Sequence, residues 1–167
     1  MIGKRRMAAM VGLAGLCAGA LGSAAWGQDR SAAAPPQETI FARKILMDSI
    51  GRNMDDLEAN AGSAKIALAE GRDHADIISV MLMAFPHLFP PSTNEWKPNV
   101  VDRDPGRDTF AAPEIWTGFA DFYQRGRDAA DIAFKASRVE TEAAFKEQVA
   151  QLRGACDSCH AIYMKKE

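Results

Sequence analysis

An antiparallel, up-down-up-down four-helix bundle is the all-α fold that this 167-residue sequence predicts. Apolar residues recur at spacings of three and four along four segments. Valine and threonine are sparse and nowhere alternate with polar residues, so no strand is expected. The segments are joined by short outer connections and one longer, proline-rich middle connection. The length suits one domain with a real core. A content of 47% hydrophobic and 25% charged residues excludes collagen-like, disordered and multi-span membrane classes. Lys plus Arg number 20 against 22 Asp plus Glu, so no broad cationic surface exists for a nucleic acid partner.

Residues 1–27 read as a cleaved secretory signal peptide. Lys4, Arg5 and Arg6 precede an apolar run from Met7 to Ala25, and Ala25-Trp26-Gly27 offers small residues where a signal peptidase cuts. The competing reading is an uncleaved membrane anchor, since the run is just long enough to span. Cys17 follows Leu16, where a lipoprotein site takes a small residue, so lipid attachment is not expected. Cleavage after Gly27 removes three basic and no acidic side chains, taking the formal charge from −2 to −5. An acidic protein of the periplasm is expected.

Residues 28–37, polar and Pro-rich, form a flexible lead-in, and the domain proper covers 38–167. The first helix is placed at about 38–69 by Ile40, Met47, Ile50, Met54, Leu57, Ala61, Ala64 and Leu68, with Gly62 as a possible break. Asp73 suits the N-cap of a second helix over about 73–85 carrying Ile77, Met81 and Ala84, closed by Pro86 and Pro90-Pro91. Residues 90–112 hold four prolines and no sustained period, the mark of a long loop. Pro113 starts a third helix that runs to about Ser137 on Ile115, Phe119, Phe122, Ala129, Ala133 and Ala136. In the last helix Phe145, Val149, Leu152, Cys156, Cys159 and Tyr163 form one stripe that includes both cysteines.

Cys156-Asp157-Ser158-Cys159-His160 is the attachment signature of c-type haem. Thiols three apart on a helix face the same way, so both can bond to one porphyrin edge while the next residue turns its imidazole to the iron. One covalently attached haem c at one pole of the bundle follows, with His160 as proximal ligand. Three other readings are weaker. A thioredoxin-like dithiol wants a strand and a helix N-terminus, zinc wants four ligands where the mature chain adds only His74 and His87, and a disulfide between helical residues three apart is strained.

Antiparallel topology sets the end of the last helix beside the start of the first, so early residues of the first helix face the haem. Met47 is the expected second axial ligand, because Met54 lies one heptad, roughly 10 Å, deeper. Met81 and Met83 are second choices, and bis-His ligation through His74 or His87 is not favoured. Arg43, one turn before Met47 on the same stripe, is a charge that a haem propionate would match, unless it snorkels to solvent. Trp116 and Phe119 are candidates for the haem wall, or ordinary core aromatics.

The C-terminal CDSCHAIY, the PEIW that opens the third helix and the Arg43-to-Met47 spacing together resemble the cytochrome c′ family, the class II c-type cytochromes, over roughly residues 38–164. The resemblance implies an antiparallel four-helix bundle. It also implies two branches: five-coordinate, high-spin members with an apolar distal residue that bind nitric oxide or carbon monoxide, and low-spin relatives with Met at that position. Met47 occupies that position, so the chain resembles the low-spin branch. The family commonly carries a basic residue four places after the haem His, where this chain has Met164, and it often forms dimers, so a homodimer is a possible assembly. The expected function is that of a one-electron carrier, not an enzyme, shuttling between periplasmic or membrane-bound redox proteins. The alternative is a five-coordinate haem protein that binds nitric oxide or carbon monoxide.

Overall fold

The structure is a computed structural model describing residues 34–104 and 108–165. The expected signal segment 1–27, with Cys17, lies outside the described residues, as do residues 28–33 of the expected lead-in. Among the described residues, five α-helices follow one another: α1 (Pro36–Gly62), α2 (Leu68–Ala84), α3 (Glu114–Thr117), α4 (Phe119–Ala136) and α5 (Glu142–Tyr163). The single turn of α3 and the longer α4 together make the third arm of a four-helix bundle. α1 packs on α2 and α5, and α4 packs on the same two, closing a ring of neighbours. Two 3-10 turns, Phe85–Leu88 and Pro91–Thr93, begin the long connection to α3. Among the described residues, no helix is long and apolar enough to cross a membrane.

Local chemistry sets the boundaries. Pro36 occupies the first turn of α1, where a missing N–H costs nothing, so ordered helix starts two residues before Glu38. α1 stops at Gly62, not near residue 69, because Ser63 turns to extended backbone at φ −67° and ψ 148°. The Asn60 side chain then brackets Ala67, its Oδ1 accepting from the Ala67 N–H and its Nδ2 donating to the Ala67 carbonyl, each at 2.9 Å. α2 consequently begins at Leu68, five residues before the expected Asp73. Its buried face is Ala75, Ile78 and Leu82, whereas Ile77 and Ala84 are exposed. The run IISVMLM is apolar but for Ser79, so its hydropathy does not decide which face is buried.

The third arm is broken at Gly118, whose φ of −120° and ψ of 36° leave the helical region. Ile115 and Phe122 are thereby both buried while Phe119, expected on the same face, is 40% exposed. α5 is capped by Thr141, whose Oγ1 accepts from the Ala144 N–H at 3.2 Å. Its last turn is tied to the long connection: Ala112 N–H donates to the Tyr163 carbonyl at 2.9 Å and Lys165 N–H to the Phe110 carbonyl at 2.8 Å.

The core has two parts. Leu57, Ile78, Ala133, Phe145 and Leu152 belong to a large cluster shared by all four arms, while Phe89, Ile115, Phe122 and Tyr163 form a smaller one at the pole covered by the connection. At the opposite pole Gly71 of α2 meets Phe145 of α5 so closely that a Cβ at position 71 would lie 2.3 Å from the ring Cζ. Gly71→Ala is therefore expected to cost about 1–3 kcal/mol through overpacking, read as a lower urea midpoint at unchanged slope.

Candidate functional site

Between the two parts of the core lies a cavity of about 620 Å³, within the roughly 300–1,000 Å³ usual for a cofactor site. α5 supplies Cys156, Cys159 and His160 to its wall, and α1 faces them with Arg43, Met47 and Met54. The start of α1 and the end of α5 thus meet at one pole, as antiparallel topology requires.

The α5 side follows from helix geometry. Residues three and four apart share a face, so Cys156, Cys159 and His160 are half-buried toward the cavity while the intervening Asp157 and Ser158 are exposed. Both thiols are free. Burial pushes the Cys156 thiol up and the Cys159 thiol up to about 11, so both are protonated at neutral pH. Burial also holds His160 below the usual histidine value, against the pull of Asp157. Its ring is neutral at pH 7, with a lone pair free for a metal.

On the α1 side, Arg43 is only 3% exposed. Its Nη1 donates to Thr93 Oγ1 at 2.8 Å, and its Nη2 donates to the Thr93 carbonyl at 3.2 Å and to Thr109 Oγ1 at 2.8 Å. Burial pulls the guanidinium down to about 10, with Glu95 acting the other way. Arg43 is thus a buried cation on the cavity wall and does not snorkel to solvent. Met47 is half-buried one turn further on, and Met54, also on the wall, is buried. Neither Met81 nor Met83 is part of the wall: Met81 packs on the large cluster and Met83 is 41% exposed.

Trp116 sits one layer back from the cavity. Its Nε1 donates to the carbonyls of Phe89 and Pro90 at 3.1 and 3.2 Å, and its ring packs 5.9 Å from that of Phe89. Phe85, Phe89, Phe110, Phe122 and Tyr163 bring aromatic rings to the wall, and the exposed Phe119 packs behind Phe122. His74 bonds to Asn53 and His87 packs edge-on against Tyr123, both away from the cavity. Leu82, Phe85 and Phe89 were not legible as wall residues. Leu82 comes from the last turn of α2, and the 3-10 turn Phe85–Leu88 carries the chain over the pole and brings in Phe85 and Phe89.

Where the family resemblance leads one to expect a basic residue, Met164 pairs its backbone with Ala111. Lys165 points away, its Nζ 2.7 Å from Glu114. A cation reaches the cavity from α4 instead. Arg125 lines the wall, and its Nε donates to Asp121 Oδ2 at 2.7 Å while Tyr163 Oη donates to the same oxygen at 2.6 Å. Those two donors hold the Asp121 carboxylate below the ordinary range, the Tyr163 bond being the larger cause.

Two protonated thiols on one helical face, a neutral imidazole beside them and a largely apolar cavity in front fit a covalently carried haem. Fold and site together fit the class of helical-bundle haem proteins. The family model for cytochrome C′ matches residues 38–164, and the chain belongs to the cytochrome c′ family, whose members bind haem c. A search of curated proteins finds no match. Among solved structures, cytochrome c′ from Thermochromatium tepidum is 22% identical, with a TM-score of 0.69 over 81% of this chain and 100% of the other. Oxidized cytochrome c556 from R. palustris is 26% identical, with a TM-score of 0.64 over 78% and 98%. A nitric oxide complex of a cytochrome c′ variant from Alcaligenes xylosoxidans is 18% identical, with a TM-score of 0.65 over 80% and 98%.

Arg43→Ala removes three hydrogen bonds from a charged donor. The expected result is a loss of about 2 kcal/mol in urea unfolding, together with faster proteolysis within residues 90–112.

Proposed function

We propose that Cys156 and Cys159 carry one haem c, each S–H adding across a vinyl group, with His160 as proximal ligand, and that the other side of the cavity admits a small neutral gas such as nitric oxide or carbon monoxide. The haem supplies an iron centre that exchanges one electron and takes a neutral ligand. The carrying observation is the chemistry of the wall across from His160. Met47, Ile50, Met54, Leu82 and Phe85 are apolar, and the α1 cations beside them are engaged, Arg43 by Thr93 and Thr109 and Lys44 by the Asp108 carbonyl. The apolar side chains there favour a small neutral ligand over an ionic one. The nitric oxide complex known for a protein of the same fold supports this reading. The export expected from the sequence of residues 1–27 accords with it, since c-type haem is attached outside the cytoplasm.

A second reading rests on Met47, whose side chain lies on the wall across from His160. As sixth ligand it would close the iron to gases and leave a one-electron carrier between redox proteins, the low-spin form.

The test uses exported protein made with a competent haem-attachment system. Its mass is expected to exceed that of the bare chain by one haem, and the double variant Cys156→Ala/Cys159→Ala loses that gain. The ferric protein is expected to be high-spin and the reduced protein to take up carbon monoxide, with Met47→Leu leaving both properties in place. Low-spin ferric iron that ignores carbon monoxide until Met47→Leu is introduced would overturn gas binding in favour of the carrier. Bare thiols would overturn both.

A further inference from the structure

Gly51 lies mid-way along α1, four residues after Met47 and three before Met54, and all three line the cavity. A glycine inside a helix is less favourable than alanine, because it loses more backbone freedom on folding and adds no contact. Two other glycines have a packing reason: a Cβ at Gly71 would strike Phe145, and one at Gly126, also on the cavity wall, would lie 2.8 Å from Pro86 Cγ. At Gly51 a Cβ would meet no heavy atom within 4 Å beyond its chain neighbours and the adjacent backbone of α1. Gly154 has similarly open surroundings, but it does not line the cavity.

Gly51 is both exposed and part of the wall, so it sits where the cavity meets solvent. Helical side chains lean toward the N-terminus and cover the turn before their own Cα. A side chain at position 51 would therefore lie over the flank of Met47, which is only half-buried. The geometry points to Gly51 as the entry notch of the cavity: its missing side chain leaves a gap in α1 beside Met47 through which a small neutral ligand passes between solvent and the site. The notch deepens the gas-binding reading and rests on it for its ligand class.

The experiment is laser photolysis of the carbon monoxide adduct in the haem-loaded protein, comparing wild type, Gly51→Ala, Gly51→Leu and Arg52→Ala, the last an exposed position off the wall. All four are repeated with Met47→Leu, which opens the iron if Met47 occupies it. The association rate is expected to fall about tenfold in Gly51→Leu, equivalent to one added decade of barrier, and less in Gly51→Ala. Dissociation slows by a similar factor, because a narrowed passage acts in both directions. Arg52→Ala leaves both rates unchanged. The thermal midpoint of Gly51→Ala rises by a few degrees, showing that slow entry is not damage to the fold, and Gly51→Ala carries the test if Gly51→Leu does not fold. Unchanged association rates in the Gly51 variants overturn the notch, as does a loss of affinity confined to dissociation. Uptake confined to the Met47→Leu series overturns the gas-binding reading instead, and the notch is then decided within that series.

Discussion

Arg43 is a charge withdrawn from water, and the shape of the cavity pole depends on how it is accommodated. Burial of a guanidinium is costly unless its donors are met. Here they are met by Thr93, near the start of the long connection, and by Thr109, near its end. Thr93 is itself held by the Pro90 carbonyl at 2.8 Å. The guanidinium also lies 4.6 Å from the centre of the Phe89 ring and 5.7 Å from that of Trp116, a favourable setting for a cation. One side chain of α1 thus fixes two distant points of the connection that covers the pole. Because the pair partners are buried, salt screens this tie far less than it would a surface ion pair.

α5 grips the same connection from the other side. The backbone bonds from Ala112 to Tyr163 and from Lys165 to Phe110 secure the final turn of the helix, immediately after His160. Further along α5, Arg153 reaches Glu58 of α1 with two bonds of 2.7 and 2.6 Å. The two walls that face each other, Cys156 to His160 on α5 and Arg43 to Met54 on α1, are therefore each tied to the connection, and Arg153 ties α5 to α1. A site positioned in this way needs little rearrangement when its ligand arrives.

Much of this was legible in the sequence, for a physical reason: helical periodicity and short covalent motifs are local. The stripe from Phe145 to Tyr163 is buried or lines the cavity as its spacing implied, and Cys156, Cys159 and His160 came together because three and four residues make one turn. Arg43 and Met47 meet them through topology alone. What was not legible depends on phase, breaks and depth. The apolar run of α2 left its buried face undetermined by one residue. Gly118 broke an arm whose apolar pattern continues across it. Trp116 has the right pole but the wrong layer, because spacing gives the direction of a side chain and not what stands in front of it. Phe89 does stand in front, and its place depends on the fold of the connection.

The close approach of Gly71 and Phe145 sets the character of the molecule along its length. α2 and α5 are opposite members of the ring, yet at this pole a ring carbon of one nearly touches the backbone of the other, so the arms meet directly across the axis. The other pole holds the cavity. Direct packing of arm on arm thus lies in the half remote from the site, which can act as the anchor of the fold. Residues around the site can then diversify over evolutionary time with little penalty to folding, so one scaffold can host differently tuned pockets.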